Sequence, residues 1–220
     1  MLDESENAPD TDPAAHIKSL SRQVDLLTEL SSAGFRLSLI LRSQELYATI
    51  SGILSSKLGT DNIAIYIHEK KERVLRLVHN QGRHAVASMF SLDNHELFNR
   101  MVLNETLTRA TIEADGELKQ FFIDKGLDWQ SIGIWIPLSM QDDLIGLVTI
   151  GLDPEEQPRD EYSRRFLDKI CAHIAVCIHT CLLYEMREKE KEDLDKTLYN
   201  LSLLYDIGRA MTHISAMKRP

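Results

Sequence analysis

Aliphatic residues alternate with residues of other types along the first half of residues 131–152. Ile, Ile, Ile and Leu occupy every second position from 132 to 138, which is the two-residue period of a β-strand. Polar residues at 141–143 make a turn, and the return segment 144–152 is apolar at both parities. A strand of that kind is covered on both faces. The pattern therefore predicts a hairpin inside a doubly covered sheet.

Two residues of this hairpin have special backbone properties. Gly146 lies inside the return strand, where a glycine marks a bulge or the close approach of another backbone. Pro137 cannot donate to the hydrogen-bond ladder, so we expect it at a strand end or a bulge.

The rest of the chain alternates between helical and strand periodicities. Apolar residues recur at helical spacing from Ile17 to Leu41, and Gly59 is a plausible end for a second helix. The charged residues 69–72 separate two strands by a turn. In chain order the second helix and later elements are helix 44–58, strands 62–68 and 73–80, a short strand at 88–92, helices 94–102 and 117–125, the hairpin, and a terminal helix from about residue 160.

This order indicates one α+β domain with long extensions. Strands joined by hairpins imply an antiparallel sheet of about five or six strands, with the two terminal helices packed on one face. We divide the chain into an acidic disordered tail (1–15), an N-terminal helix (16–42), the domain (43–184) and a C-terminal signalling or linker helix (185–220), with the start of a further module as an alternative interpretation of the last segment.

Composition narrows the environment of the protein. The net charge of −9 argues against nucleic acid as a partner, because backbone binding needs a basic patch. No stretch contains the ~20 consecutive apolar residues that are typical of a membrane span. The acidic N-terminus does not resemble a secretory signal. The three cysteines all fall within 171–181, which is no disulfide framework. We therefore expect a cytoplasmic protein without a membrane partner.

Three segments together resemble the GAF domain, a small sensory and regulatory module related to PAS domains. They are the helix pair 27–58 with the strand after it, the hairpin with its Pro-Leu, short turn and Ile-Gly-Leu, and the terminal helix segment 164–184. The resemblance covers about residues 27–184. It implies that the middle of the chain forms a variable lid on the second face of the sheet. The chain departs from members that bind cyclic nucleotides, attach bilins or reduce methionine sulfoxide.

The aromatic residues of the middle segment are the pocket candidates that this resemblance implies. Pockets are mostly apolar with a few polar groups, but large rings fill cores as readily as pockets, and the pattern leaves both alternatives open. The candidates, with one methionine, are Phe90, Phe98, Met101, Phe121, Phe122, Trp129 and Trp135. The sequence identifies no cofactor and no catalytic residue.

Three residues in the terminal helix have the spacing of metal ligands. His173, Cys177 and Cys181 lie four residues apart, and such pairs can bind one metal ion. The same stripe carries isoleucines of the core face, and free cysteine is commonly buried. We therefore expect no metal site and regard these three residues as weak candidates.

The C-terminal part of the chain predicts self-association. Ten of the twelve residues at 185–196 are charged, and an apolar stripe follows at spacings of four, three and four: Leu194, Leu198, Leu201 and Tyr205. This spacing resembles a short coiled coil. Residues 201–214 also resemble residues 27–40. Either two helices of similar periodicity match by chance, or a further module begins there, and we favour the second interpretation. We predict a homodimer through the terminal helices.

The leading hypothesis is a cytoplasmic GAF-like sensor in signal transduction that is not an enzyme. It would bind a small molecule or a partner and relay that state, through paired terminal helices, to a downstream signalling domain or protein. The alternatives are a dimerisation or adaptor protein with a filled core and, less favoured, an enzyme of the methionine sulfoxide reductase type.

Overall fold

The chain forms six helices and six strands in the described residues of this computed structural model. The structure describes residues 13–82, 86–93, 95–125, 127, 130, 132–141, 143–151 and 161–217. The elements are α1 Pro13–Ser38, α2 Ser43–Leu58, β1 Ile63–Glu69, β2 Val74–Gln81, β3 Met89–Ser91, α3 His95–Val102, β4 Leu107–Thr108, α4 Arg109–Ala114, α5 Gly116–Asp124, β5 Ile134–Met140, β6 Asp143–Ile150 and α6 Glu161–Met217.

All six strands belong to one antiparallel sheet, in the order β3-β2-β1-β6-β5-β4. The two central strands, β1 and β6, come from opposite ends of the domain and pair along Ile63–Ile67 and Gly146–Ile150. The predicted α+β fold with an antiparallel sheet of five or six strands is confirmed.

Three helices cover one face of this sheet, which we call the helix face. The start of α2 meets the middle of α6, where the Ser43 backbone N–H donates to Glu185 Oε1 at 2.8 Å. The end of α2 meets the start of α6, where Lys57 lies over the Phe166 ring. Lys57 also pairs with Glu29 of α1. Consequently α2 runs antiparallel to both other helices, and α1 runs in the same direction as α6.

The core of the helix face draws on both terminal helices. Leu26, Leu30 and Leu37 of α1 are buried beside Ile170, Ile174 and Ile178 of α6. Apolar burial of this kind contributes roughly 25 cal/mol for each Å² removed from water. The predicted packing of the two terminal helices on one face is confirmed.

The opposite face of the sheet, which we call the lid face, is covered by α3, α4 and α5. Asp115 connects α5 to α3. Its carboxylate caps α5 by accepting hydrogen bonds from the backbone N–H groups of Glu117 and Leu118. The same carboxylate binds Arg100 of α3 at 2.8 Å. Capping of this kind is typically worth ~1 kcal/mol.

A bulge and a close backbone contact shape the central hairpin. The register of β5 and β6 shifts between Leu138 and Ser139, and this shift places Leu144 and Leu147 of β6 on the lid face. A Cβ atom added to Gly146 would lie 2.2 Å from the Tyr66 carbonyl oxygen. The predicted close approach of another backbone at Gly146 is therefore confirmed.

Some predicted boundaries differ from the structure. Residues 13–15 of the predicted tail belong to α1, whereas residues 1–12 lie outside the described part of the chain. Pro137 is inside β5, one residue before the bulge and beyond the two residues that pair with β4. β4 and α4 were not predicted, because elements of two and six residues show no period.

One helix has the length and composition of a membrane span, contrary to the expectation from sequence. The stretch is in α6, within Arg165–Ile207, and half of its most apolar window is buried in the fold. A core helix passes the same test, so this is weak evidence for a span.

Candidate functional site

The predicted pocket aromatics converge on the lid face. The ring of Trp135 contacts Phe122 edge-on with centroids 4.8 Å apart, and Phe90 with centroids 6.0 Å apart. All three rings are almost fully buried, as is Met101 of α3. Edge-to-face pairs of this type stabilise a core beyond their area burial. This part of the lid face is filled by side chains.

The other predicted aromatics differ in position. Phe121 of α5 packs edge-on against Phe122 with centroids 5.9 Å apart. Phe98 of α3 is only partly buried and lines a cavity. Trp129 lies outside the described residues. Ligand binding by these seven side chains stays a prediction, and Phe98 is the one that borders the candidate site described next.

A cavity of about 470 Å³ opens at the end of the lid face where β1 ends and β6 begins. Four separate segments supply its wall, and we call it the lid-face cavity. Its lining residues are His68, Lys70, Arg73, Leu92, Asp93, Phe98, Asp143 and Leu144. A volume of this size suits a small molecule.

His68 forms part of the cavity floor and has a defined tautomer. Its Nδ1 lies 3.1 Å from the Leu144 carbonyl oxygen. Because a carbonyl only accepts, Nδ1 donates, and Nε2 of the neutral ring is an acceptor. Nε2 is buried and has no hydrogen-bond partner among the described residues. The Phe98 ring lies beside the imidazole, with centroids 5.8 Å apart.

Charged residues surround the mouth of the cavity. Lys70 binds Asp143 at 2.7 Å. Asp93 lies 3.4 Å from Lys125, and a hydrogen bond from Ser91, the Lys125 ammonium and the Arg73 charge lower its pKa. Arg73 makes no ion pair within the part of the chain that the structure describes. Among the described residues, the lining of the mouth contributes two positive groups, Lys70 and Arg73, and two negative groups, Asp93 and Asp143.

The backbone at Arg73 is in an unusual conformation. Its φ is +53°, a region that residues other than glycine rarely occupy. The Leu92 N–H donates to the Arg73 carbonyl at 2.9 Å, so the β1–β2 turn is fixed to the segment after β3. Strained residues cluster at binding sites, and this one holds a guanidinium at the cavity mouth.

A larger cavity of about 850 Å³ lies on the helix face between α1 and α2. It is an open groove lined by small residues such as Ser32, Ala48 and Gly52, with the Glu29–Lys57 pair at its edge. None of the buried polar atoms without a partner in the described residues belongs to its lining. We therefore place the candidate site in the lid-face cavity.

The three cysteines lie in α6 on the helix face, across the sheet from the lid-face cavity. Burial raises the pKa of Cys171 to about 12 and also raises the pKa of Cys177 and of Cys181. Raised pKa values make these thiols poor nucleophiles and ligands. His173 is exposed, and its ring lies against Gly34 of α1. Among the described residues, no group of three or more His, Cys, Asp or Glu side chains could hold a metal ion.

The burial of His68 makes stability depend on pH. Desolvation lowers the pKa of His68 and that of His79 from 6.5. The unfolded chain therefore takes up protons first, and the free energy of unfolding should fall as pH drops below about 6.5. We predict that His68→Gln reduces this dependence in urea unfolding between about pH 5.5 and about pH 8.

His79→Gln serves as the matched comparison, because His79 lies on β2 outside the lining of the lid-face cavity. It should also reduce the dependence. If the slopes of wild type and His68→Gln are equal, the neutral buried state of His68 is refuted.

Comparisons with known proteins identify the fold. No family model matches the chain, and no curated protein sequence matches it significantly. The GAF domain of a phosphoenolpyruvate-protein phosphotransferase from Coxiella burnetii has 15% identity and a TM-score of 0.55, covering 74% of this chain and 98% of that one. At this identity the likeness shows the fold, which is GAF-like.

Two further solved structures share this fold. The phycoerythrobilin-bound GAF domain from a cyanobacterial phytochrome has 16% identity and a TM-score of 0.52, covering 73% of this chain and 97% of that one. The free methionine-R-sulfoxide reductase from Neisseria meningitidis, in complex with its substrate, has 13% identity and a TM-score of 0.53, covering 70% of this chain and 88% of that one.

Proposed function

We propose that this chain is a GAF-like regulatory module of signal transduction. A small molecule binds in the lid-face cavity, and the terminal helices relay the bound state to a downstream domain or protein. The observation that carries the proposal is the continuity of α6, which is one helix of 57 residues. Its first part packs on the sheet, and the part beyond Glu185 is exposed in the described residues.

The central strands couple the cavity to α6. His68 of β1 and Leu144 of β6 line the cavity, while Ile65 and Val148 of the same strands face the helix-face core beside α6. A ligand that moves the ends of β1 and β6 therefore acts on the packing of α6. The size of such a shift is limited by the ligand's differential affinity for the two states.

A homodimer completes the proposal. The predicted stripe on α6 is exposed, with fractions of 56% to 71% for Leu194, Leu198, Leu201 and Tyr205. A second exposed stripe on α1 has spacings of three, four and three: Ile17, Leu20, Val24 and Leu27. Both stripes have the spacing of coiled coils. Because α1 and α6 run in the same direction, a two-fold axis along the helices would pair each stripe with its own copy.

Hydrogen exchange tests the relay. A thermal-shift screen first identifies a small molecule that stabilises the full chain, since a ligand stabilises by mass action. That ligand should then change amide exchange in residues 185–207, far from the cavity. Changes confined to the lid and the ends of β1 and β6 would refute the relay.

The filled aromatic core supports the adaptor alternative. The rings of Phe90 and Phe122 pack edge-on against Trp135, as expected of a module that only dimerises. An adaptor would show the dimer but no stabilising ligand in the same screen. The reductase alternative has weaker support, because the cysteines lie across the sheet from the cavity.

A further inference from the structure

The charges at the mouth of the lid-face cavity select for a ligand of mixed charge. Lys70 and Arg73 are positive, and Asp93 and Asp143 are negative. A ligand that carries one sign meets repulsion from half of these groups. A molecule that carries both signs can match them, and charge complementarity of this kind gives specificity.

Arg73 is the anchor for the negative end of such a ligand. Lys70 is already bound to Asp143 at 2.7 Å, whereas Arg73 has no ion pair within the described residues. A guanidinium binds a carboxylate through two parallel N–H···O bonds. The fixed turn at Arg73 orients this group, since its carbonyl accepts from Leu92.

Asp93 is the anchor for the positive end. It follows Leu92 directly, so the same backbone hydrogen bond keeps it near Arg73. Its contact with Lys125 is long, at 3.4 Å, and its side chain is 68% exposed. An ammonium group can therefore reach this carboxylate.

The floor of the cavity is mostly apolar. Leu92 and Leu144 are 4% and 1% exposed, and the Phe98 ring and the neutral His68 imidazole complete the surface. We propose that the lid-face cavity binds a free α-amino acid with an apolar side chain. Its carboxylate binds Arg73, its ammonium binds Asp93 and its side chain lies on this floor. This assignment rests on the proposed function, because it names the ligand of the same cavity.

Calorimetric titration of the full chain tests the ligand class. The probes are L-leucine, L-phenylalanine, 3-phenylpropionate, which lacks the ammonium, and phenethylamine, which lacks the carboxylate. We expect an amino acid to bind about tenfold or more tightly than either singly charged analogue. Equal binding of an analogue, or no binding of either amino acid, overturns the proposal.

Arg73→Asn tests the anchor. Asparagine tolerates positive φ better than most residues, so the turn is retained while the guanidinium is lost. We expect amino-acid affinity to fall about tenfold or more. Lys71→Asn is the matched control, because it removes the same charge from the same turn and does not line the cavity. An equal loss in both variants refutes a specific contact with Arg73.

The ligand class and the relay can fail separately. If L-phenylalanine binds but exchange in residues 185–207 is unchanged, the proposed relay is wrong and the ligand assignment holds. If a different small molecule binds and changes that exchange, the relay holds and the amino-acid assignment is wrong.

Discussion

Gly146→Ala lowers the free energy of unfolding by about 3 kcal/mol, the upper end of the usual cost of overpacking. The added methyl group would lie 2.2 Å from the Tyr66 carbonyl oxygen. That oxygen is backbone of β1, in the centre of the sheet, and cannot rotate away as a side chain could. Urea unfolding followed by circular dichroism measures the change.

Gly52→Ala is the matched control. Gly52 is inside α2, and an added Cβ would have no atom within 4 Å. Alanine there should raise the free energy of unfolding by about 0.5 to 1 kcal/mol, because glycine weakens a helix interior. Equal effects of the two substitutions would contradict the close approach at Gly146.

Leu198→Glu combined with Leu201→Glu converts the proposed dimer into a monomer. Both leucines are more than half exposed on α6, and burying carboxylates in a paired stripe without partners is costly. Sedimentation velocity at a concentration on the order of tens of micromolar, suited to an interface of standard size, should show the mass halved. Fold and stability of the domain should be retained, since neither residue contacts its core.

Tyr199→Glu combined with Asn200→Glu is the control for this pair. It adds the same charge to the same segment but away from the stripe, because each residue turns the helix by about 100°. The control should remain a dimer. A wild-type monomer, or loss of the dimer in the control alone, would contradict pairing through this stripe.

The central hairpin could be predicted because strand alternation and a polar turn are local signals. The burial of both faces of the return strand could also be predicted, since its residues are apolar at both parities. The bulge that places Leu144 and Leu147 on the lid face could not be predicted, because the register depends on the neighbouring strand.

Most of the residues that line the lid-face cavity could not be predicted from the sequence. Lys70 and Asp143 were recognised only as turn residues, and Leu92 as part of a short strand. They converge because β1 and β6 are neighbours and β3 returns to β2, a pairing that no local pattern encodes. The positive φ of Arg73 could not be predicted either, because the residue at this position is neither a glycine nor an asparagine, the types that usually adopt it. Of the predicted aromatics that the structure describes, Phe98 lines this cavity.

The continuity of α6 sets an angular relationship between the domain and anything joined to its far end. Because the helix has no break, each residue between Glu185 and Leu194 contributes a rotation of about 100° and a rise of about 1.5 Å to the position of the stripe that begins at Leu194. Insertions or deletions in this charged segment therefore rotate the two ends relative to each other, and only changes near whole turns preserve their alignment. Under the proposed relay, the helical phase of this segment would matter as much as its length.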